Sequence, residues 1–266
     1  MKIGVVGCGA IGAEVARAVA EGRFAGLELV AVSDIDSARV QEVCRDFPSV
    51  RALSLEELVT CVDIVVQATT AATMPHITRM ALEAGCNVLA MSVGGLADDP
   101  DLLALAERKG KRLYVPSGAL AGLDGILAAR EAGLTSVSLT TTKHPKSLKG
   151  APYLEKNNIS LDDLLEAKVI FNGTAREAIS GFPSNVNVAI ALSFAGIGMD
   201  KTRMRIVADP ACTLTQHEIH AEGASGIIHS VTQCTLSATN PKTSYLAVLA
   251  SMAVLRSLSS SFKVGN

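Results

Sequence analysis

Apolar and polar positions change place in a regular rhythm through roughly the first 115 residues. Short apolar runs at 2–6, 27–32, 50–53, 63–67, 87–90 and 113–115 read as strands. Most lack a polar face, as strands covered on both sides do. The stretches between them, at 13–21, 37–46, from Ser54 onward, 73–84 and 98–108, read as helices. Local chemistry supports the boundaries. Ser54 followed by Glu57 is a capping box, and Gly85 and Gly110 stand where glycine ends a helix. Strand and helix in succession predict an α/β fold, a doubly wound parallel sheet of Rossmann type.

Near Ser117 the rhythm changes. Residues 116–122 form a Gly-rich crossing, and a helix is expected from Leu123. Residues 135–143 alternate with period two, which predicts a strand with one buried face. The polar stretch 146–159 reads as loop and the apolar 187–195 as helix. Three strand-like runs follow at 203–208, 213–221 and 227–237, divided by Asp209-Pro210 and Glu222-Gly223. Runs so divided predict an antiparallel meander. With 135–143 they make an open, mostly antiparallel sheet of about four strands in an α+β domain, helices on one face. Residues 244–258, after Asn240-Pro241, close as an apolar helix.

The joint between the first strand and first helix carries Gly7-Cys8-Gly9-Ala10-Ile11-Gly12, with Asp34 at the tip of the next strand. Strand, glycines, helix and acid together make a dinucleotide fingerprint, where the glycines alone are common. Gly7 permits the tight turn, Gly9 lets backbone approach a pyrophosphate, and Gly12 lets helix and strand pack closely. Ala10 and Ile11 belong to the same cofactor-binding turn, and the helix N-terminus that follows offers free N–H groups and a positive dipole end to phosphate. Asp34 accepts from the adenosine ribose and repels a 2′-phosphate, favouring NAD over NADP. Arg39, one turn into the next helix, softens that preference and leaves NADP possible. Ligands of such sheets bind beyond the strands' carboxyl ends, so 68–71 and 92–95 are expected beside the cofactor. The expected division is 1–118 as the dinucleotide-binding domain and 119–240 as a catalytic and dimerisation domain, the helix within 241–266 returning to the first.

Composition narrows the partners. Twenty-four basic against 26 acidic residues leave a formal charge of −2, which does not favour nucleic acid or an anionic membrane. Only 3% of residues are aromatic and none is Trp, which argues against a stacking platform for bases. No apolar run approaches the roughly 18 residues of a spanning helix, and no signal peptide is legible at the start. The six cysteines are scattered without a C-x-x-C pair, as in a reduced cytoplasmic protein, and no metal site is expected.

Oxidation of an alcohol or amine by a nicotinamide releases a proton, so a base is needed, and histidine suits neutral pH. His76 lies on a helix of the first domain and reads as a surface residue. His144 ends a strand and can line a cleft, and His229 reads as a sheet-face residue. His217 and His220, three apart on one strand, must point to opposite faces. His217 shares its face with Thr213, Thr215 and Ile219, and His220 shares the other with Leu214, Gln216 and Glu218. Either can equally be a histidine satisfied within a sheet.

Four segments together resemble the L-aspartate dehydrogenase family over nearly the whole chain. They are Gly7 to Gly12, Ser117-Gly118-Ala119-Leu120-Ala121-Gly122-Leu123-Asp124, Phe182-Pro183-Ser184-Asn185-Val186-Asn187-Val188-Ala189, and Gln216-His217-Glu218-Ile219. The resemblance implies a homodimeric, cytoplasmic enzyme that oxidises L-aspartate with NAD or NADP. Its product is iminosuccinate, which enters NAD biosynthesis or hydrolyses to oxaloacetate and ammonia. By the same resemblance His217 is the catalytic histidine and Ala121 and Asn187 are cofactor contacts. By chemistry alone, Asn187 suits the nicotinamide ribose or carboxamide, or a helix N-cap. The substrate's two carboxylates call for cationic or N–H partners. Lys143, Lys146, Lys149 and a nest at Ser117-Gly118 are the candidates, with solvated loop lysines the simpler reading for at least two of the three.

Rivals remain on fold grounds. Sugar and inositol dehydrogenases of similar plan carry a Glu-Lys-Pro element where this chain reads Ala90-Met91-Ser92-Val93-Gly94-Gly95, without lysine. A dihydrodipicolinate-reductase-like or homoserine-dehydrogenase-like activity, or a non-catalytic dinucleotide sensor, is compatible with the same architecture. The extended second domain disfavours a methyltransferase.

Overall fold

A computed structural model describes residues 1–183, 186–237 and 244–265. The Ser184-Asn185 pair and the Asn240-Pro241 turn, both singled out in the sequence, lie outside the described residues. Two compact units appear, Met1–Pro116 with Val248–Lys263, and Ser117–Ala247 with Val264–Asn266.

The first unit runs β1 (Lys2–Val6), α1 (Ala10–Ala20), β2 (Glu28–Ser33), α2 (Ser37–Asp46), β3 (Arg51–Ala52), α3 (Leu55–Leu58), β4 (Ile64–Gln67), α4 (Met74–Glu83), β5 (Asn87–Ala90), α5 (Gly95–Asp98), α6 (Asp101–Arg108) and β6 (Leu113–Tyr114). Its strands pair in parallel in the order β3-β2-β1-β4-β5-β6, reversing direction beside β1. That reversal opens a crevice at the strands' carboxyl ends, where such sheets take their ligands. The apolar runs behave as their pattern predicts: Ile3, Val5, Ile64, Val66 and Leu89 are fully buried in one core with Val15 and Ala16 of α1. Ser54 and Glu57 do form the capping box that starts α3.

The second unit runs α7 (Leu123–Glu131), β7 (Leu134–Lys143), a 3-10 turn (Pro145–Ser147), α8 (Pro152–Lys156), β8 (Lys168–Thr174), α9 (Ala175–Gly181), α10 (Asn187–Ala195), β9 (Arg203–Ala208), β10 (Thr215–Gly223) and β11 (Gly226–Cys234). A last helix, α11 (Tyr245–Ser259), starts here, but Val248, Met252 and Leu255 sit in the first unit's core. There Arg256 lies 5.2 Å over the ring of Phe24, a cation–π contact.

The second sheet corrects two expectations. It has five strands, not about four, in the order β11-β10-β7-β9-β8. β8 escapes sequence reading because Asn172-Gly173 inside it look like a turn. Nor do the last three strands make a meander. β10 and β11 form a hairpin, but β7 stands between β10 and β9 and runs parallel to β9. Period two fixes which face a residue takes and says nothing about which strand lies beside it. The 146–159 stretch is also more ordered than loop. It holds the 3-10 turn and α8, and Tyr153 of α8 meets Phe171 edge-to-face and Phe182 at a tilt, with centroid distances of 5.3 and 5.2 Å.

Candidate active site

The fingerprint residues meet at the turn between β1 and α1. Gly7 has φ +96°, a left-handed value that glycine adopts without strain. A Cβ on Gly7 would stand 2.6 Å from Ala68 O, and one on Gly12 only 1.8 Å from Gly7 O. A Cβ on Gly9 would meet only Arg39 Nη1, at 3.7 Å. The turn is thus closed on the sheet side and open above Gly9, the shape that receives a pyrophosphate. α1 begins at Ala10 without a side-chain cap, leaving the first-turn N–H groups of Ala10, Ile11 and Gly12 facing that opening.

Asp34 is held ready beside this turn. Its carboxylate accepts from Cys8 N at 2.5 Å and Asp36 N at 2.9 Å, and two oxygens retain capacity for ribose hydroxyls. Arg39 pairs with Asp36 at 3.2 Å. Burial, with Asp34 next, pushes the Cys8 thiol up to about 12, so it stays protonated and inert.

At the ends of β4 and β5 the expected cofactor-side segments are tied together. The fully buried Gln67 donates to Thr69 Oγ1 at 2.7 Å and accepts from Ser92 N at 3.2 Å. Ser92 Oγ in turn donates to Thr69 O. These residues fit a dinucleotide: an open glycine above an uncapped helix start, with an acid alongside.

The second unit gathers the remaining candidates. His217 is 4% exposed, on the face of β10 that carries Thr215, Ile219 and Ala221 inward. That face lies under α7 and α10, so closely that a Cβ on Gly196 would stand 3.2 Å from Val137 and 3.6 Å from Ile126. Across the β7–β10 ladder His217 pairs with Thr141, and the Thr141 hydroxyl lies 3.0 Å from His217 Nδ1. Burial, with the charge of Lys143 next, pushes the imidazole down to about 3, so it is neutral at rest. Lys143, two residues beyond Thr141, is 8% exposed, and burial pushes its ammonium down to about 8 against a weaker opposing effect of Cys212.

The Gly-rich crossing is moored to the same hairpin. Thr232, paired with His217, donates to Ala119 O at 2.8 Å, and Ser230 donates to Ala121 O at 3.0 Å. Asn187 is the first residue of α10 and exposed, and its neighbour Val188 would lie 3.6 Å from a Cβ on Gly118. The structure therefore places Gly7, Gly9, Ala10, Ile11, Gly12 and Asp34 at one turn of the first unit, and Ala121, Asn187 and His217 within the second.

The other histidines fall elsewhere. His76 is exposed on α4. His220 and His229 point outward as neighbours, His229 Nε2 lying 2.8 Å from Glu218. His144 accepts from Lys146 N and lines a separate hollow of about 750 Å³ with the exposed Lys146 and Lys149. Sequence reasoning missed Thr141, whose signal was available: it is a hydroxyl in the inward series after Val137 and Leu139. Among the described residues no group of histidine, cysteine and acidic side chains can hold a metal, and no helix is long and apolar enough to cross a membrane.

Comparisons with known proteins agree across the chain. Residues 124–258 match the family model described as aspartate dehydrogenase, C-terminal, and residues 7–116 the one described as homoserine dehydrogenase, NAD binding domain. L-aspartate dehydrogenases of Methanosarcina mazei and Methanococcoides burtonii are 40% and 42% identical, covering all of this chain and 99% of each relative. The crystal structure of aspartate dehydrogenase from Thermotoga maritima superposes with a TM-score of 0.78 at 25% identity, covering 100% of this chain and 99% of that one. A myo-inositol dehydrogenase structure from Sinorhizobium meliloti, 15% identical with a TM-score of 0.54, shares the fold alone.

Proposed function

The chain belongs to the L-aspartate dehydrogenase family, and from that premise we propose that it oxidises L-aspartate with NAD, using His217 as the proton acceptor. The observation that carries this reading is the buried, neutral imidazole of His217, hydrogen-bonded at Nδ1 to Thr141. Bound NAD supplies the hydride acceptor. Gly7, Gly9, Ala10, Ile11 and Gly12 would hold its pyrophosphate and Asp34 its adenosine ribose, and Ala121 and Asn187 are the positions that match the family's further cofactor contacts.

As Cα of aspartate gives up its hydrogen with the bonding pair, the amine sheds a proton and a C=N bond forms. His217 takes that proton at Nε2, which requires the tautomer whose Nδ1–H donates to Thr141 Oγ1. An imidazole with so low a proton affinity is a poor base alone. A substrate bearing two carboxylates brings negative charge to this buried face and raises that affinity when the proton is released. The iminosuccinate formed feeds pyridine-nucleotide synthesis or hydrolyses to oxaloacetate and ammonia. The six free cysteines suit a reducing cytoplasm.

The test is direct. Incubated with NAD and a panel of amino acids, the protein reduces NAD with aspartate alone, and more slowly with NADP in its place. Binding of NAD without turnover of any amino acid would leave a dinucleotide sensor instead.

The outward face of the second sheet supports a homodimer. Glu218 and Glu222 lie on β10, Arg203 and Arg205 on β9, and the neutral Ser136, Ser138, Thr140 and Thr142 on β7 between them. Exposed Ile227, Val231 and Val169 share this face. A two-fold axis along β7 sets the acids of each copy over the arginines of the other. Light scattering should give twice the mass of one chain. The substitution Arg205→Glu should shift it toward monomer, and adding Glu218→Arg should restore the dimer. A monomer in the unaltered protein sinks this reading.

A further inference from the structure

We propose that Lys143 receives a carboxylate of the substrate beside His217. The inference rests on the reading of the chain as an aspartate-oxidising enzyme, and names the group that holds the substrate there.

The inward series of β7 runs Val137, Leu139, Thr141, Lys143. The first two members are ordinary core. The third is bonded to His217, and the fourth brings an ammonium to the same buried face. Lysine is among the residues least often buried. Lys143 also acts directly on the reaction centre, since its charge is one of the two causes that hold His217 neutral.

The other candidate lysines differ in kind. Lys146 and Lys149 are exposed beyond the strand. An anion gains far more from a cation already out of water than from a solvated one. A cation on a central strand also fixes an anion's position more firmly than one on a loop. With one carboxylate held by Lys143 Nζ, the amine of aspartate is kept near the imidazole that must take its proton.

The test compares Lys143→Met and Lys143→Arg with the unaltered enzyme. It measures KM and kcat for aspartate, and calorimetric binding of succinate, a dicarboxylate with no amine to oxidise, to enzyme saturated with NAD. In Lys143→Met, KM for aspartate and Kd for succinate should both rise roughly 10²-fold. NAD affinity should hold and kcat fall much less, and Lys143→Arg should recover part of the loss. If Lys143→Met stays within about threefold of the unaltered enzyme for both ligands, or loses NAD affinity in step with them, Lys143 is not the carboxylate's partner. Those results leave aspartate oxidation standing. Absence of aspartate turnover in the unaltered protein removes the functional reading itself, and this inference with it.

Discussion

Replacing His217 with alanine should lower kcat by roughly 10²–10⁴-fold, the range a positioned general base contributes, with NAD affinity unchanged. The imidazole is buried on the second unit, while the dinucleotide turn belongs to the first, so losing the ring does not disturb the fingerprint. Stopped-flow and steady-state measurement of NADH formation separate the two quantities. Turnover retained within a few fold removes His217 from the mechanism. Stability offers a second readout. The folded imidazole binds its proton near pH 3, against an ordinary value of 6.5. Between those values the unfolded chain holds a proton that the folded chain lacks, so stability falls as pH drops through 6.5 toward 3. His217→Ala should remove that share of the acid sensitivity.

The fingerprint glycines should separate folding from binding. Gly12→Ala sets a methyl 1.8 Å from Gly7 O, a backbone atom that cannot swing aside, so α1 must retreat from the turn. It should lose about 1–3 kcal/mol of stability, as overpacked sites do, and NAD affinity should fall by ~10–100-fold or more. Gly9→Ala adds its methyl to open space, with only Arg39 Nη1 at 3.7 Å. Its melting temperature should match the unaltered protein's while NAD binding weakens, because the methyl stands where the pyrophosphate lies. Differential scanning calorimetry and NAD titration read both effects. Gly9→Ala binding NAD with full affinity would contradict the placement of the phosphates.

The first unit is legible from sequence because its strands are short, apolar and separated by helices with chemical stops. The expected 37–46 helix matches α2 residue for residue, and in the second unit the expected 203–208 strand matches β9. The second sheet is legible in its faces and not in its order. Parity along β10 places His217, Thr215 and Ile219 together, and they are buried together. What parity does not carry is that residue 141, 76 positions earlier, stands opposite His217, because strand neighbours are chosen by long-range pairing. Lys143 illustrates the cost of reading by composition. The polar stretch after it suggests a solvated loop, yet alternation from Val137 already assigns it to the covered side.

Val248, Met252 and Leu255 complete a core whose other members lie before residue 90. A ribosome therefore synthesises all of the sheet bearing His217 before it delivers the last apolar wedge of the nucleotide-binding unit. Until then the apolar side chains of that unit lack the cover those three residues give them. A chain that ends before residue 248 should therefore unfold its nucleotide-binding unit at a lower temperature than the full chain, the last turn of translation being what closes that unit.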